Sequence, residues 1–441
     1  MSGKKEYEEA YVKRPVGRAA TKEHIVGRLP LDALEPGMTL ASDLLGPDGN
    51  MLLPKGMTLT DSHIGSLRKR GVVGADVTEG ASSDEAGIAD IPPALVEQSA
   101  IYVFRRFLAN DMSHPAMAAL FETAVLKQAR ALLSGAELPP DIPPNPRAES
   151  MGDLFFREEG GVDDLVDSEV KLASFPDIYF KIRQVLDSPS SSSGQVADVI
   201  SKDTSLTAKL LKLVNSPFYG LPHRVDSISR AVMVLGGQEV STLALGISAM
   251  NAFKDIPPEL INMRTFWEHS VAVGVFARLI GDVVGASSGE RLFVAGILHD
   301  IGRLVLFKKL PHAAVEAIYY AKANMTPLFV AENEVVGFAH PLVGGLLLRA
   351  WKFPEALVGI VTCHHKPSAC PGDIEPAILH LADIMAVALG HTPPASSMVP
   401  TLETEAWDML GLAPERLPEL AAAGQDQIDD IVGAFFPIRK H

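Results

Sequence analysis

From about residue 150 to residue 390 the sequence is written almost entirely in helical spacing, and no other feature constrains the fold as much. Asp203 to Val214 shows the pattern clearly. Leu206, Leu210, Leu213 and Val214 share one side, while Lys202, Lys209 and Lys212 fall elsewhere. Similar spacing predicts helices over Pro176 to Leu186, from Val196 to Ile200, over Ile228 to Leu235 and over Val240 to Phe253. DSPSSSSGQ interrupts the first of these and Asn215-Ser216-Pro217 closes the 203–214 helix. A second helical block runs from about 261 to 390. Thr265 with Glu268 predicts a capping box at its start, and Ser287 with Glu290 predicts another. Pro341 fits the first position of a helix, which would make His340 its N-cap. The expected class is mainly α, with two helical lobes at 151–260 and 261–390.

The flanks differ in character. Residues 1–24 are polar and read as a disordered N-terminus. Over 25–80, short apolar runs alternate with the turn signals Pro36-Gly37, Asp48-Gly49 and Lys55-Gly56, predicting a small β-rich domain. Residues 81–150 read as a helical connector, polar at 81–93, helical over 94–134 and Pro-rich over 137–146. The C-terminal extension, 391–441, is Pro-rich and then helical, with no role legible in it.

The 441 residues allow roughly two to four domains. A net charge of −15 argues against general nucleic-acid binding, because a polyanion would be repelled over most of the surface. No apolar run approaches the ~18 residues of a membrane span. The charged N-terminus does not read as a signal peptide, so a cytoplasmic protein is expected. Cys363 and Cys370 fit neither a disulfide framework nor a C-x-x-C knuckle, and read as two reduced, incidental thiols.

Five places in the second helical block carry groups suited to chemistry. They are WEHS (His269), LHDIG (His299, Asp300), AHPLVG (His340), CHHKP (His364, His365) and LADIM (Asp383). Each lies beside or within an apolar helix, where polar groups need partners. A lone histidine in such a place is more often a hydrogen-bonded core residue than a ligand. The adjacent His299-Asp300 inside GILHDIGRLVL is harder to bury without a cation, and the order of all five pieces strengthens that reading. Imidazoles and carboxylates around a divalent cation satisfy one another. A carboxylate bridging two cations, with an activated water, would support phosphoester hydrolysis.

That order resembles the HD superfamily of metal-dependent phosphohydrolases, especially its HD-GYP branch, which hydrolyses cyclic di-GMP. The resemblance implies that His269, His299, Asp300, His340, His364, His365 and Asp383 are metal ligands for one or two ions of Fe, Mn, Zn or Ni. It implies catalytic roles for Asp300, as bridging carboxylate, and for Arg303, as a phosphate-holding group. The sequence departs from the branch in three ways. Arg303 stands where HDIGK has lysine, and arginine differs in shape and reach. Lys366-Pro367 follows His365 in place of the GYP-containing loop. About seventeen residues separate His365 from Asp383, leaving a short substrate loop.

The preceding block resembles the HDOD domain, the HD-related output domain of bacterial signalling proteins. SFPDIYFKIRQVL, NSPFYG and AVMVLG carry the likeness, which extends over roughly 165–390. The 25–80 segment is similar to small β-rich modules found ahead of HD-GYP domains. Two functions follow from these resemblances. One is a signalling output protein acting through contacts with other signalling proteins, with self-association compatible. The other is a metal-dependent phosphohydrolase or phosphodiesterase acting on a nucleotide or cyclic dinucleotide. A third reading, a scaffold whose histidines and aspartates bond only one another, also stays open.

Overall fold

The computed structural model describes residues 27–30, 34, 38–40, 44–45, 51–53, 57, 59, 67, 74–78, 91–138, 152–154, 160–172, 177–186, 188, 192–221, 223–250, 252–253, 256, 258, 260–286, 288–392 and 398–436. The chain divides into two compact units. One is Met1–Ile101 with Val125–Leu138; the other is Tyr102–Ala124 with Pro139–His441.

In the first unit, strand β1 (Gly27–Pro30) pairs antiparallel with β5 (Gly74–Thr78), Gly27 opposite Val77 and Pro30 opposite Gly74. Strand β2 (Thr39–Leu40) pairs antiparallel with β5 as well, and β3 (Leu44–Leu45) pairs with β4 (Met51–Leu53). Leu34, Leu40, Leu44, Leu59, Leu67 and Ala75 are buried together. Most of the 25–80 segment, all of 1–24 and most of the Pro-rich spacer lie outside the described residues. Two helices follow, α1 (Pro93–Arg106) and α2 (Pro115–Leu133).

The second unit is helical among its described residues. Its first helices are α3 (Val162–Leu172), α4 (Asp177–Leu186), α5 (Ser193–Ser201), α6 (Thr204–Val214), α7 (Ile228–Leu235) and α8 (Gly237–Ala249). Their starts follow from local chemistry. Ser192 and Gln195 form a reciprocal capping box on α5, Asp203 caps α6 by accepting from the Leu206 N–H, and Ser227 caps α7. The predicted side of α6 is the buried one, with Leu206, Leu210, Leu213 and Val214 all inside.

The organising element is α9 (Met263–Val284), which packs on α10 (Gly289–Leu298) and α16 (Glu375–Ala388). Between them in sequence lie α11 (Ile301–Lys309), α12 (Pro311–Asn324), α13 (Leu328–Val336), α14 (His340–Ala350) and α15 (Glu355–Cys363). Every residue of α16 is buried, as expected of a helix apolar on all sides. Helices α9 and α10 cross at glycines: a Cβ on Gly296 would meet the Gly274 Cα and N at 2.4 Å. This close approach places the end of α10 beside the middle of α9. On α3, Glu169 is fully buried and pairs with Lys308 at 2.8 Å and Lys309 at 3.6 Å, tying α3 to α11.

Three helix starts differ from expectation. Asn262, not Thr265, caps α9, its side chain accepting from the Arg264 and Thr265 N–H groups. Asparagine one turn earlier offers the same acceptor, and Glu268 instead pairs with Arg264 at 2.7 Å. Ser288 rather than Ser287 caps α10, accepting from Arg291. Ala339 is the N-cap of α14, which makes His340 its first residue and Pro341 its second. The C-terminal extension forms α17 (Thr404–Leu410) and α18 (Arg416–Phe435). It joins the core: α18 packs on α9 and α6, and its Leu417, Leu420, Ile428 and Ile431 are buried. No helix among the described residues is long and apolar enough to cross a membrane.

Candidate metal centre

The seven histidines and aspartates singled out in the sequence come together in the second unit. They form three overlapping groups whose ligand atoms lie within 4.8 Å of one another: His269–His299–Asp300, His299–His364–Asp383 and His340–His364–His365. His269 sits in the first half of α9 and Asp383 in α16. His299 and Asp300 occupy the break between α10 and α11, His340 opens α14, and His364 and His365 follow the end of α15.

Helix ends explain how two of these rings are held. The last carbonyls of a helix lack intrahelical partners. His299 and His364 are the C-caps of α10 and α15, and each meets a carbonyl three residues back with Nδ1: Gly296 O at 2.7 Å and Val361 O at 2.7 Å. Each bond satisfies an orphaned carbonyl and turns the opposite nitrogen, Nε2, into the cluster. The same division holds elsewhere. His269 Nδ1 is 2.7 Å from the His391 carbonyl, and His340 Nδ1 is 2.6 Å from Glu332 Oε2. Arg303 Nε also lies 3.3 Å from His340 Nδ1, but that nitrogen already donates to Glu332 and cannot accept as well.

A ring whose Nδ1 donates points Nε2 inward, as a lone pair when the ring is neutral. The inward groups then face one another as acceptors. His269 Nε2 is 3.2 Å from His299 Nε2, His340 Nε2 is 3.4 Å from His364 Nε2, and His340 Nε2 is 3.0 Å from Asp300 Oδ1. His269 Nε2 also lies 3.4 Å from Asp383 Oδ1. Asp300 Oδ1 and both His365 nitrogens are buried without a hydrogen-bond partner. Buried acceptors at such distances are satisfied by a shared proton or a shared cation, and oriented imidazoles with carboxylates are a donor set that divalent cations accept.

Burial governs the charge states. It pushes His269 down to about 3, helped by His299, and holds His364 and His365 well below the usual imidazole range, helped by their neighbouring rings. Burial also raises Asp383, to about 6. Burial opposes ionisation of Asp300, yet Arg303, His299 and His340 outweigh it and hold this carboxyl well below its ordinary range. For His340, burial and Arg303 are outweighed by Glu332 and Asp300, so it moves up.

Arg303 is buried as well. Its Nη1 lies 2.6 Å from Asp300 Oδ2 and its Nε 3.5 Å from Glu332 Oε1. The group expected to hold a phosphate therefore holds two carboxylates. A narrow opening beside it is lined by Pro327, Phe329, His365, Asp383, Met398 and Pro400, among others. The Phe329 ring stacks on His365 at 4.1 Å.

Two participants went unread in the sequence. Glu332, acidic within the apolar helix α13, fixes the His340 ring and backbone, accepting from the His340 N–H at 2.9 Å. Its placement in an apolar run was the available signal. His380 on α16 lies outside the inward set; its Nδ1 meets His364 O at 2.7 Å and its Nε2 accepts from the Glu403 N–H at 3.1 Å. Burial lowers His380 from 6.5 to about 4. The folded state thus keeps it neutral where the unfolded chain takes a proton, so this contribution is complete above about 6.5 and lost as pH falls toward 4. His269 acts in the same sense, while Asp383 partly opposes it between 3.8 and about 6. Chelator-treated protein is expected to show a urea midpoint that falls steadily between pH 7 and pH 5. A flat profile would mean these rings are not buried neutral.

The cysteines correct the reading of two reduced thiols. The structure joins Cys363 to Cys370, with Cα atoms 6.2 Å apart. The 3-10 turn Pro367–Ala369 folds the chain back onto the end of α15, which spacing along the sequence does not reveal. The bridge closes a short loop holding His364 and His365. Replacing both cysteines by serine is expected to lower stability by about 2 kcal/mol, read from urea unfolding without reductant. An unchanged midpoint would count against a formed bridge.

Residues 172–367, somewhat under half of the chain, match the HDOD domain. The match takes in His269, His299, Asp300, His340, His364 and His365, and stops short of Asp383. An uncharacterized protein of Treponema pallidum is 23% identical over 212 residues, 48% of this chain and 41% of that protein. The chain thus spans less than half the length of that curated relative. A provisionally named phosphohydrolase of Shewanella amazonensis is 23% identical, with 62% of this chain and 97% of that one covered and a TM-score of 0.49. An HDOD domain protein of unknown function from Geobacter sulfurreducens is 22% identical, with 62% and 96% covered and a TM-score of 0.47.

Proposed function

We propose that this chain is a bacterial, cytoplasmic signalling output protein whose HDOD-type helical unit acts by contact with other signalling proteins around a resident divalent metal centre. The small β-rich N-terminal module over 25–80 belongs to this reading as the part that precedes the output unit. His269, His299, Asp300, His340, His364, His365 and Asp383 are the candidate ligands. The observation that carries the metal is the set of buried polar groups facing one another, with His269, His299, His340 and His364 each oriented by a Nδ1 donor bond.

The alternative is a metal-dependent phosphohydrolase or phosphodiesterase acting on a nucleotide or cyclic dinucleotide. The opening at His365 and Asp383 favours it. A divalent ion there would act as a Lewis acid toward a phosphoryl or water oxygen. Against it, Arg303 is engaged by Asp300 and Glu332, and no other cationic side chain lines the described opening. A phosphodiester would therefore approach without a free guanidinium to orient it.

The test is metal content by plasma mass spectrometry on protein purified without chelator, beside Asp300→Asn, followed by turnover of a nitrophenyl phosphodiester and of cyclic di-GMP with Mn supplied. Bound metal without turnover above the variant supports the output reading. Turnover that disappears in Asp300→Asn overturns it in favour of the hydrolase.

A further inference from the structure

The charge inventory of this cluster says more than its ligand count. The buried carboxylates are Asp300, Asp383 and Glu332, and the buried fixed cation among them is Arg303. With the histidines neutral, as ligands must be, three negative charges stand against one positive charge. One divalent ion brings that balance to zero. A second would leave two uncompensated positive charges in a buried site, a heavy cost at low dielectric.

The geometry agrees with the charge. A carboxylate that bridges two ions offers one oxygen to each. Asp300 Oδ2 lies 2.6 Å from Arg303 Nη1, so that oxygen already faces a cation. Asp300 Oδ1 is the orphaned one, turned toward His340 Nε2 at 3.0 Å and His299 Nε2 at 3.5 Å. Asp300 enters only one of the three compact groups, with His269 and His299. The His340–His364–His365 group contains no carboxylate, and Arg303 Nε lies 3.3 Å from the first of its rings. An ion there would have to share Asp300 Oδ1, 3.0 Å from His340 Nε2, with the His269–His299–Asp300 group. Glu332 holds the guanidinium from its other side, 3.5 Å from Nε, so Arg303 is fixed in this role by two partners.

We propose that Arg303 is a resident cation of the centre, occupying one oxygen of Asp300 in place of a second metal, so that the candidate ligand set takes one divalent ion and not two. This rests on the metal reading above and departs from the expectation of Asp300 as a bridge between two ions.

The test is stoichiometry on the full chain, stripped and then reconstituted with excess Mn, for the wild type, Arg303→Gln and Arg303→Lys. Plasma mass spectrometry counts the ions, and electron paramagnetic resonance separates an isolated Mn centre from an exchange-coupled pair. The expected result is one isolated Mn in the wild type and in Arg303→Lys. In Arg303→Gln, a second, coupled Mn is expected, or an affinity at least roughly tenfold tighter for the first, since a buried like charge has gone. Two ions in the wild type would overturn the resident cation and leave the metal reading intact, and this arm needs no variant to fold. Equal stoichiometry and affinity in the wild type and a folded Arg303→Gln would also overturn it. A wild type that stays empty would sink the metal reading itself.

Discussion

Gly302→Ala is expected to destabilise the helical unit by about 3 kcal/mol or more and to abolish metal retention. Gly302 lies on α11 where it crosses α14. A Cβ there would meet the His340 carbonyl oxygen at 2.1 Å, the Gly344 nitrogen at 2.7 Å and the His340 carbonyl carbon at 3.0 Å. All three are backbone atoms, so no side-chain tip can swing aside. The helices must separate, and Asp300 and His340 stand on opposite sides of that crossing, 3.0 Å apart. Gly359→Ala on α15 is the matched control, because a Cβ there meets nothing within 4 Å. It is expected to be neutral or to stabilise by up to about 1 kcal/mol through helix propensity. Urea unfolding of both variants, with metal content, decides the matter. A Gly302→Ala protein as stable as the control would mean that α11 and α14 do not cross this closely.

Asp300→Ala is expected to cost about 3–5 kcal/mol in the metal-free protein, because it leaves a buried guanidinium without its nearest carboxylate. Arg303 is only 6% exposed, and after the substitution its remaining carboxylate partner, Glu332, lies 3.5 Å from Nε. The penalty is that of stranding a charge, which exceeds the net worth of the pair. The double variant Asp300→Ala with Arg303→Met should therefore recover much of the loss, since both charges leave together. Chemical denaturation of the two single variants and the double one, in chelator, measures the coupling. Additive losses would show that Asp300 and Arg303 do not share a buried pair, and would also weaken the resident-cation assignment.

How much of this was legible in the sequence depends on the range over which each signal acts. Apolar spacing located α6 and α7 because a helix reports its buried side every three or four residues. Helix starts were read within a turn and missed by one to three residues: Asn262 for Thr265, Ser288 for Ser287, Ala339 for His340. Several neighbouring polar side chains can each cap, and packing selects among them. The seven inward groups were visible as polar types stranded in apolar helices. Glu332 carried the same signal and was passed over because no ligand pattern called for it.

The chemical inventory was determined by the sequence alone: which helices are apolar on one side, which on all sides, and which histidines and aspartates they carry. Tertiary structure decided the rest, because the deciding contacts join residues far apart in the chain. His269 is oriented by the carbonyl of His391, 122 residues on, and Asp383 meets it from another helix. The turn of Cys370 onto Cys363 and the docking of α18 on α9 are likewise invisible to local spacing. Most consequential is Arg303. Sequence shows an arginine one turn after an aspartate. Only the packing of α11, α13 and α14 places its guanidinium between Asp300 and Glu332, turned inward to balance charge. A long side chain can reach either solvent or core, and burial of the two carboxylates is what selects the core.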